Sequence, residues 1–127
     1  NPGHAGIGAV IANGKGKTLK ELSAYIGEQT NNYAEYEAVI RALEALKLIF
    51  KEKLRDMRVE VVMDSELVVR QLSGIYRVKD AGLKEQFARV AKLRMSAVPN
   101  LIFTHIRREA NARADEVVNA AIDAAGK

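Results

Sequence analysis

RVEVVMDSELVVRQL, residues 58–72, changes its hydrophobic period partway along. Val59, Val61 and Met63 alternate with Arg58 and Glu60, the period of two that makes a strand with one face inward. After Asp64 the pattern becomes that of a short helix, running to Leu72 and stopped by Gly74. Asp64 therefore stands where a strand ends and a helix is about to begin. In open α/β sheets the carboxyl ends of parallel strands are where functional groups collect.

Working outward from this unit, residues 75–82 read as a polar connection. Leu83, Phe87, Val90, Ala91 and Met95 then mark a helix that ends before Pro99. Leu101 to Ile106 reads as the last strand, and Ala114, Val117, Val118, Ala121, Ile122 and Ala125 form one stripe of a closing helix. On the other side, Tyr33 to Phe50 carries Ala38, Val39, Ala42, Leu43 and Leu46 at spacings of three and four, the signature of an amphipathic helix. Before it, Gly6–Ile11 and Leu19–Ile26 flank the turn cluster Asn13-Gly14-Lys15-Gly16, which predicts an antiparallel hairpin. The whole predicts one α/β domain over residues 1–127, a mixed sheet flanked by helices, without repeats or low-complexity segments.

Bulk properties narrow the chemistry. With 127 residues the chain can bury roughly two thirds of the surface that its unfolded form exposes, enough for one core. No apolar run approaches the ~20 residues of a membrane span, and Asn1-Pro2-Gly3 lacks the charged and apolar regions of a signal peptide. A soluble, cytoplasmic protein without membrane partners is the expectation. The absence of cysteine excludes disulfides and thiolate metal sites, leaving oxygen and nitrogen ligands that favour hard ions such as Mg²⁺ or Mn²⁺. The net charge of +4 suits a nucleic-acid partner without requiring one, and the positive residues are dispersed, so a phosphate-binding face must be assembled by folding.

Three acids occupy element ends. Glu35 projects onto the apolar stripe of Val39, Ala42 and Leu46, whereas Glu37 falls on the charged face, four residues before Arg41. Glu35 has a structural alternative, since Asn32 to Glu35 has the spacing of a capping box. Asp64 could be a helix N-cap, and Asp115 lies four residues after Asn111, where a helix dipole alone favours an acid. Taken together, three carboxylates from separate elements would repel one another unless cations neutralise them. Two hard divalent ions about 4 Å apart can activate water and stabilise a leaving oxygen, so metal-assisted phosphoryl transfer is the hypothesis. Spacing along a chain does not show convergence in space.

Four motifs in order add a resemblance. Asn1-Pro2-Gly3-x-Ala5-Gly6-Ile7-Gly8, Thr30-Asn31-Asn32-Tyr33-Ala34-Glu35-Tyr36, Met63-Asp64-Ser65 and Asn111-Ala112-Arg113-Ala114-Asp115 together resemble the type 1 ribonuclease H family over essentially the whole chain. The closest likeness is to the compact bacterial and archaeal branch without a long basic protrusion. The resemblance implies an endonuclease that hydrolyses the RNA strand of RNA–DNA hybrids with two divalent ions, leaving a 3′-hydroxyl and a 5′-phosphate. Glu35, Asp64 and Asp115 match the second, third and fourth acids of the family's quartet. The first belongs to an Asp-Gly motif ahead of Asn-Pro-Gly, on a central strand. The chain is therefore expected to be N-terminally incomplete, with an upstream strand lying between the hairpin and the Asp64 strand, unless another chain completes the sheet.

By the same resemblance, Asn1, Asn31 and Asn32 would reach the hybrid's minor groove, where a 2′-hydroxyl distinguishes RNA from DNA. As bare residues they could equally be turn and capping residues. Glu66 replaces a frequent glutamine of the family and is assigned no binding role. His105, ten residues before Asp115, resembles the family's loop histidine in spacing, although it falls within a predicted strand and an ordinary strand histidine is the alternative. His4 reads as a surface loop residue. Lys79, Arg107 and Arg108 are candidates for phosphate contact, and Lys84 reads more simply as solvated charge. Rival functions are a catalytically incomplete module that binds hybrid or duplex RNA, and a nuclease-like protein-interaction scaffold. A monomer is expected if the upstream strand is present.

Overall fold

The computed structural model describes residues 3–106 and the backbone of residues 118–123. Strands β1 (Gly3–Asn13) and β2 (Thr18–Gln29) form the expected hairpin, longer at both ends than the alternation indicated. Its turn is closed from within. The Asn13 side chain accepts from the backbone N–H of Lys15 at 2.9 Å and of Lys17 at 3.0 Å, and Gly16 takes φ +86°, which a residue without Cβ adopts at no steric cost.

Helix α1 spans Asn31–Phe50, followed by a 3₁₀ turn over Lys51–Asp56, strand β3 (Arg58–Met63) and helix α2 (Glu66–Leu72). Helix α3 covers Ala81–Ser96, and strands β4 (Leu101–His105) and β5 (Val118–Asp123) complete the described elements. The stop after α2 is the one read from Gly74, which has φ +84° and donates to the Gln71 carbonyl at 3.1 Å.

The sheet order is β2-β1-β5-β3-β4. β3 and β4 are parallel, with Val59, Val61 and Met63 paired to Leu101, Phe103 and His105. Ile7, Ala9 and Ile11 of β1 and Val59, Val61 and Met63 of β3 join one buried cluster with Val39, Leu43 and Leu46 of α1, Val68 of α2 and Val90 of α3. Each fully buried leucine contributes about 1.5–3 kcal/mol relative to leaving it in water.

One expectation is overturned within the described residues. The stripe from Ala114 to Ala125 predicted a helix, but Val118–Asp123 is a strand, parallel to β1 and antiparallel to β3. It occupies the position between the hairpin and the Asp64 strand that was expected to belong to an upstream strand. The physical reason is pairing: without β5 the facing edges of β1 and β3 would present rows of unsatisfied N–H and C=O groups. A six-residue run of Val, Asn, Ala, Ala, Ile and Asp has no local preference strong enough to resist that demand.

Candidate active site

The start of α1 carries the richest motif. Thr30 is its N-cap, its side chain accepting from the Tyr33 N–H at 3.1 Å. Asn32 is already inside the helix, so the Asn32–Glu35 capping box is not formed and Glu35 is released from that structural explanation. Glu35 is half-buried in the second turn. Asn31 and Asn32 line a cleft of about 440 Å³ together with Thr30, Asp80 and Leu83, so the N-termini of α1 and α3 border the same depression. Asp80 caps α3 by accepting from the Leu83 N–H at 3.0 Å, and exposed Lys79 directly precedes it in sequence.

Asp64 follows the last residue of β3, as read. Its alternative role as a cap is taken by its neighbour: the Ser65 side chain accepts from the Val68 N–H at 3.3 Å and caps α2. His105 ends β4 directly beside this point. It pairs with Met63 in the parallel ladder, and the following Ile106 N–H donates to the Met63 carbonyl at 2.9 Å. The histidine is both a strand residue, as its surrounding pattern indicated, and an exposed neighbour of the strand end that presents Asp64.

A third connection links the Glu35 and Asp64 elements. The Tyr36 hydroxyl donates to Gln71 Oε1 at 2.7 Å, joining the turn that holds Glu35 to the helix that follows Asp64. Burial pushes the Tyr36 hydroxyl up to about 12, so it remains a donor throughout the neutral range.

Glu37 is the chief misreading. Its spacing to Arg41 indicated a surface pair, and Arg41 Nε does donate to Glu37 Oε2 at 3.1 Å, but Glu37 is only 6% exposed. Helix α3 covers it: Gln86 Nε2 donates to Glu37 Oε1 at 3.2 Å and Arg89 Nη1 approaches the same oxygen at 3.4 Å. A carboxylate with three donors can be buried where an isolated one cannot. The missed signal lay in α3, where Gln86 falls three residues after Leu83 and four before Val90, on the apolar stripe itself.

Other predicted residues are placed plainly. Glu66 pairs with Arg70 at 2.7 Å on the surface of α2, and Lys84 is exposed in the first turn of α3. His4 lies within β1 rather than in a loop, exposed, with Nδ1 2.6 Å from the Tyr25 hydroxyl. Asn1, Arg107, Arg108 and Asp115 lie outside the described residues. Among the described residues no three acidic or histidine side chains group closely enough to hold a metal ion. Glu35 and Asp64 nevertheless offer hard carboxylate oxygens from elements joined by the Tyr36–Gln71 bond, a donor type suited to a divalent ion such as Mg²⁺. No helix among the described residues is long and apolar enough to cross a membrane.

Comparison with known proteins fixes the lineage. A family model described as reverse transcriptase-like matches residues 1–121. Ribonuclease HI of Halobacterium salinarum is 37% identical over 123 residues, covering 97% of this chain and 59% of the relative. Bifunctional protein Rv2228c of Mycobacterium tuberculosis is 38% identical over 129 residues, all of this chain but 34% of the relative. The chain thus spans only part of the length of these curated relatives. Among solved structures, LC11-RNase H1 in complex with an RNA/DNA hybrid is 64% identical with a TM-score of 0.85, over 93% of this chain and 85% of that one. RNase H1 from Halobacterium salinarum superimposes with a TM-score of 0.78 at 36% identity, over 93% of this chain and 85% of its own. With a family model over nearly its whole length and ribonuclease H1 structures matched across most of theirs, the chain belongs to the type 1 ribonuclease H family.

Proposed function

We propose that this chain is the nuclease domain of an enzyme that hydrolyses the RNA strand of RNA–DNA hybrids. The observation that carries the reading is its likeness, at 64% identity, to LC11-RNase H1, a structure containing that kind of hybrid. Asn31 and Asn32, on the cleft between α1 and α3, present amide groups able to bond a 2′-hydroxyl in the minor groove. Lys79, next to the cleft residue Asp80 in sequence, would with Arg107 and Arg108 neutralise backbone phosphates.

Glu35, Asp64 and Asp115 are the residues that would hold two Mg²⁺ or Mn²⁺ ions. When bound, such ions supply Lewis-acid stabilisation of charge on the phosphodiester. In the hydrolysis a water oxygen bonds to phosphorus, the bond from phosphorus to the 3′ oxygen breaks, and that oxygen takes a proton, leaving a 3′-hydroxyl and a 5′-phosphate. His105, exposed beside the β3 end, would hold or pass a proton near Asp64. With the upstream strand present the protein would act as a monomer, in the cytoplasm, where a chain without cysteine needs no oxidising compartment.

Asp64→Asn tests the reading, since it removes a ligand charge while nearly preserving shape. In the full-length protein, cleavage of hybrid RNA in Mg²⁺ is expected to fall by roughly a thousandfold or more, with melting temperature and hybrid affinity little changed. Near-normal turnover would remove Asp64 from the site. The alternative is a module that binds hybrid without cutting it. Tight, salt-sensitive binding to hybrid by the full-length protein, with no cleavage in Mg²⁺ or Mn²⁺, would select it.

A further inference from the structure

Among the described residues three polar or charged side chains are buried: Glu37 at 6%, Gln71 at 6% and Gln86 at 1% exposure. Glu37 belongs to α1, and the two glutamines reach α1 within residues 33–37. Gln71 accepts from the Tyr36 hydroxyl at 2.7 Å, while Gln86 Nε2 donates both to the Tyr33 carbonyl at 3.0 Å and to Glu37 at 3.2 Å. Residues 33–37 bracket Glu35 and directly follow Asn31 and Asn32. We propose that Gln71 and Gln86 are positioning residues, a two-sided clamp that sets the placement of the first turns of α1 and thereby aims Glu35 and the two asparagines.

The orientation of Gln86 supports a role beyond filling space. Its Nε2 faces two acceptor oxygens, so turning the amide over would set oxygen against oxygen at both contacts. In the orientation that satisfies them, Gln86 Oε1 is buried with no hydrogen-bond partner among the described residues. An unmet buried acceptor is costly, and leucine or methionine would fill the same stripe without that cost. The amide's contribution is therefore directional, a fixed bond from α3 to a backbone carbonyl of α1. Such bonds hold a helix against rotation and sliding in a way that apolar contact does not, and active groups misplaced by about 1 Å can lose up to a hundredfold in rate.

The two sides of the clamp act at different places. Gln86 bonds the Tyr33 carbonyl, beside the asparagines, as well as Glu37, whereas Gln71 bonds Tyr36, next to Glu35. The clamp rests on the proposed hybrid nuclease activity for its kinetic readout, and a second readout is independent of it. In the full chain, Gln86→Met is expected to raise KM for hybrid RNA roughly tenfold with a smaller change in kcat, and Gln71→Met to lower kcat roughly tenfold with a smaller change in KM. Val90→Ala, also in α3 and buried, serves as the control: it should lower melting temperature while leaving both kinetic constants near normal at a temperature where all variants are folded.

Amide hydrogen exchange provides the independent arm. Residues 33–37 should exchange at least severalfold faster in Gln86→Met and Gln71→Met, with the second half of α1 unchanged. If both variants behave like Val90→Ala in kinetics and leave exchange at 33–37 unaltered, the clamp is refuted and the glutamines are only packing. If the full-length protein neither binds nor cuts hybrid, the nuclease reading fails by itself, and the exchange data still decide for or against the clamp.

Discussion

Helix α1 and strand β5 carried the same kind of signal in the sequence and became different structures. Both regions space apolar residues by three and four, yet Asn31–Phe50 is a helix and Val118–Asp123 lies in the sheet. The difference lies in what each segment can satisfy locally. α1 has 20 residues, a Thr30 cap and a face of buried side chains including Val39, Leu43 and Leu46, so its own hydrogen bonds and its packing agree. The six residues of β5 stand between two strands whose edges need partners, and the ladder to β1 and β3 supplies more pairing than one and a half helical turns could. Periodicity is reliable where a segment can close its own account of backbone bonds, and yields where neighbours cannot close theirs.

The largest test of that contrast is Ala120→Pro. Ala120 pairs with Ile11 on one side and Val61 on the other, so proline would remove a donor from the centre of the sheet. A loss of about 3 kcal/mol or more is expected in urea melts. Backbone chemical shifts of residues 118–123 in the unaltered chain provide the sharper discriminator, and strand-like values are expected. Helical values there would restore the period-based reading and remove β5 from between β1 and β3.

A second test addresses the polar attachment of α1. Glu37→Ala would leave Gln86 with one acceptor and Arg89 with only its 3.9 Å approach to Glu44, at a cost of roughly 2 kcal/mol. A surface Glu37 would give a change within about 0.5 kcal/mol. Thermal melts at neutral pH separate the two outcomes, and the smaller one would return Glu37 to the charged outer face.

Much of the frame was legible because its signals are local. The Asn13–Gly16 turn, the alternation ending at Met63 and the stop at Gly74 each depend on residues within a few positions. Of the site, the places of Asp64 after β3 and of Asn31 and Asn32 at a helix start were legible for the same reason. Glu37 was not, because its burial is decided by Gln86 and Arg89, 49 and 52 residues away. A helical projection of α1 alone identifies one buried face, and α3 creates a second by lying across what would otherwise be solvent. The same limit applied to β5, whose partners come from two distant strands.

The smallest effect reads the other side of the α1 attachment through its pH dependence. Tyr36→Phe keeps the ring and deletes the hydroxyl that donates to Gln71, so at pH 7 it should cost about 1 kcal/mol. In the folded protein burial raises this hydroxyl from 10.0 to about 12. A group whose folded value is raised contributes stability that is fully present below its unfolded value and lost as pH climbs toward the folded one. The native protein should therefore lose stability relative to the phenylalanine variant between pH 10 and pH 12, by on the order of 2–3 kcal/mol for a shift of about two units. Lysine titration is common to both proteins and cancels in the difference. The order of stability should thus reverse near pH 11, the native chain being the more stable below and the variant above. Paired urea melts from pH 8 to pH 12 would show the crossing. A gap that stays constant across that range would mean that Tyr36 ionises as freely in the fold as out of it.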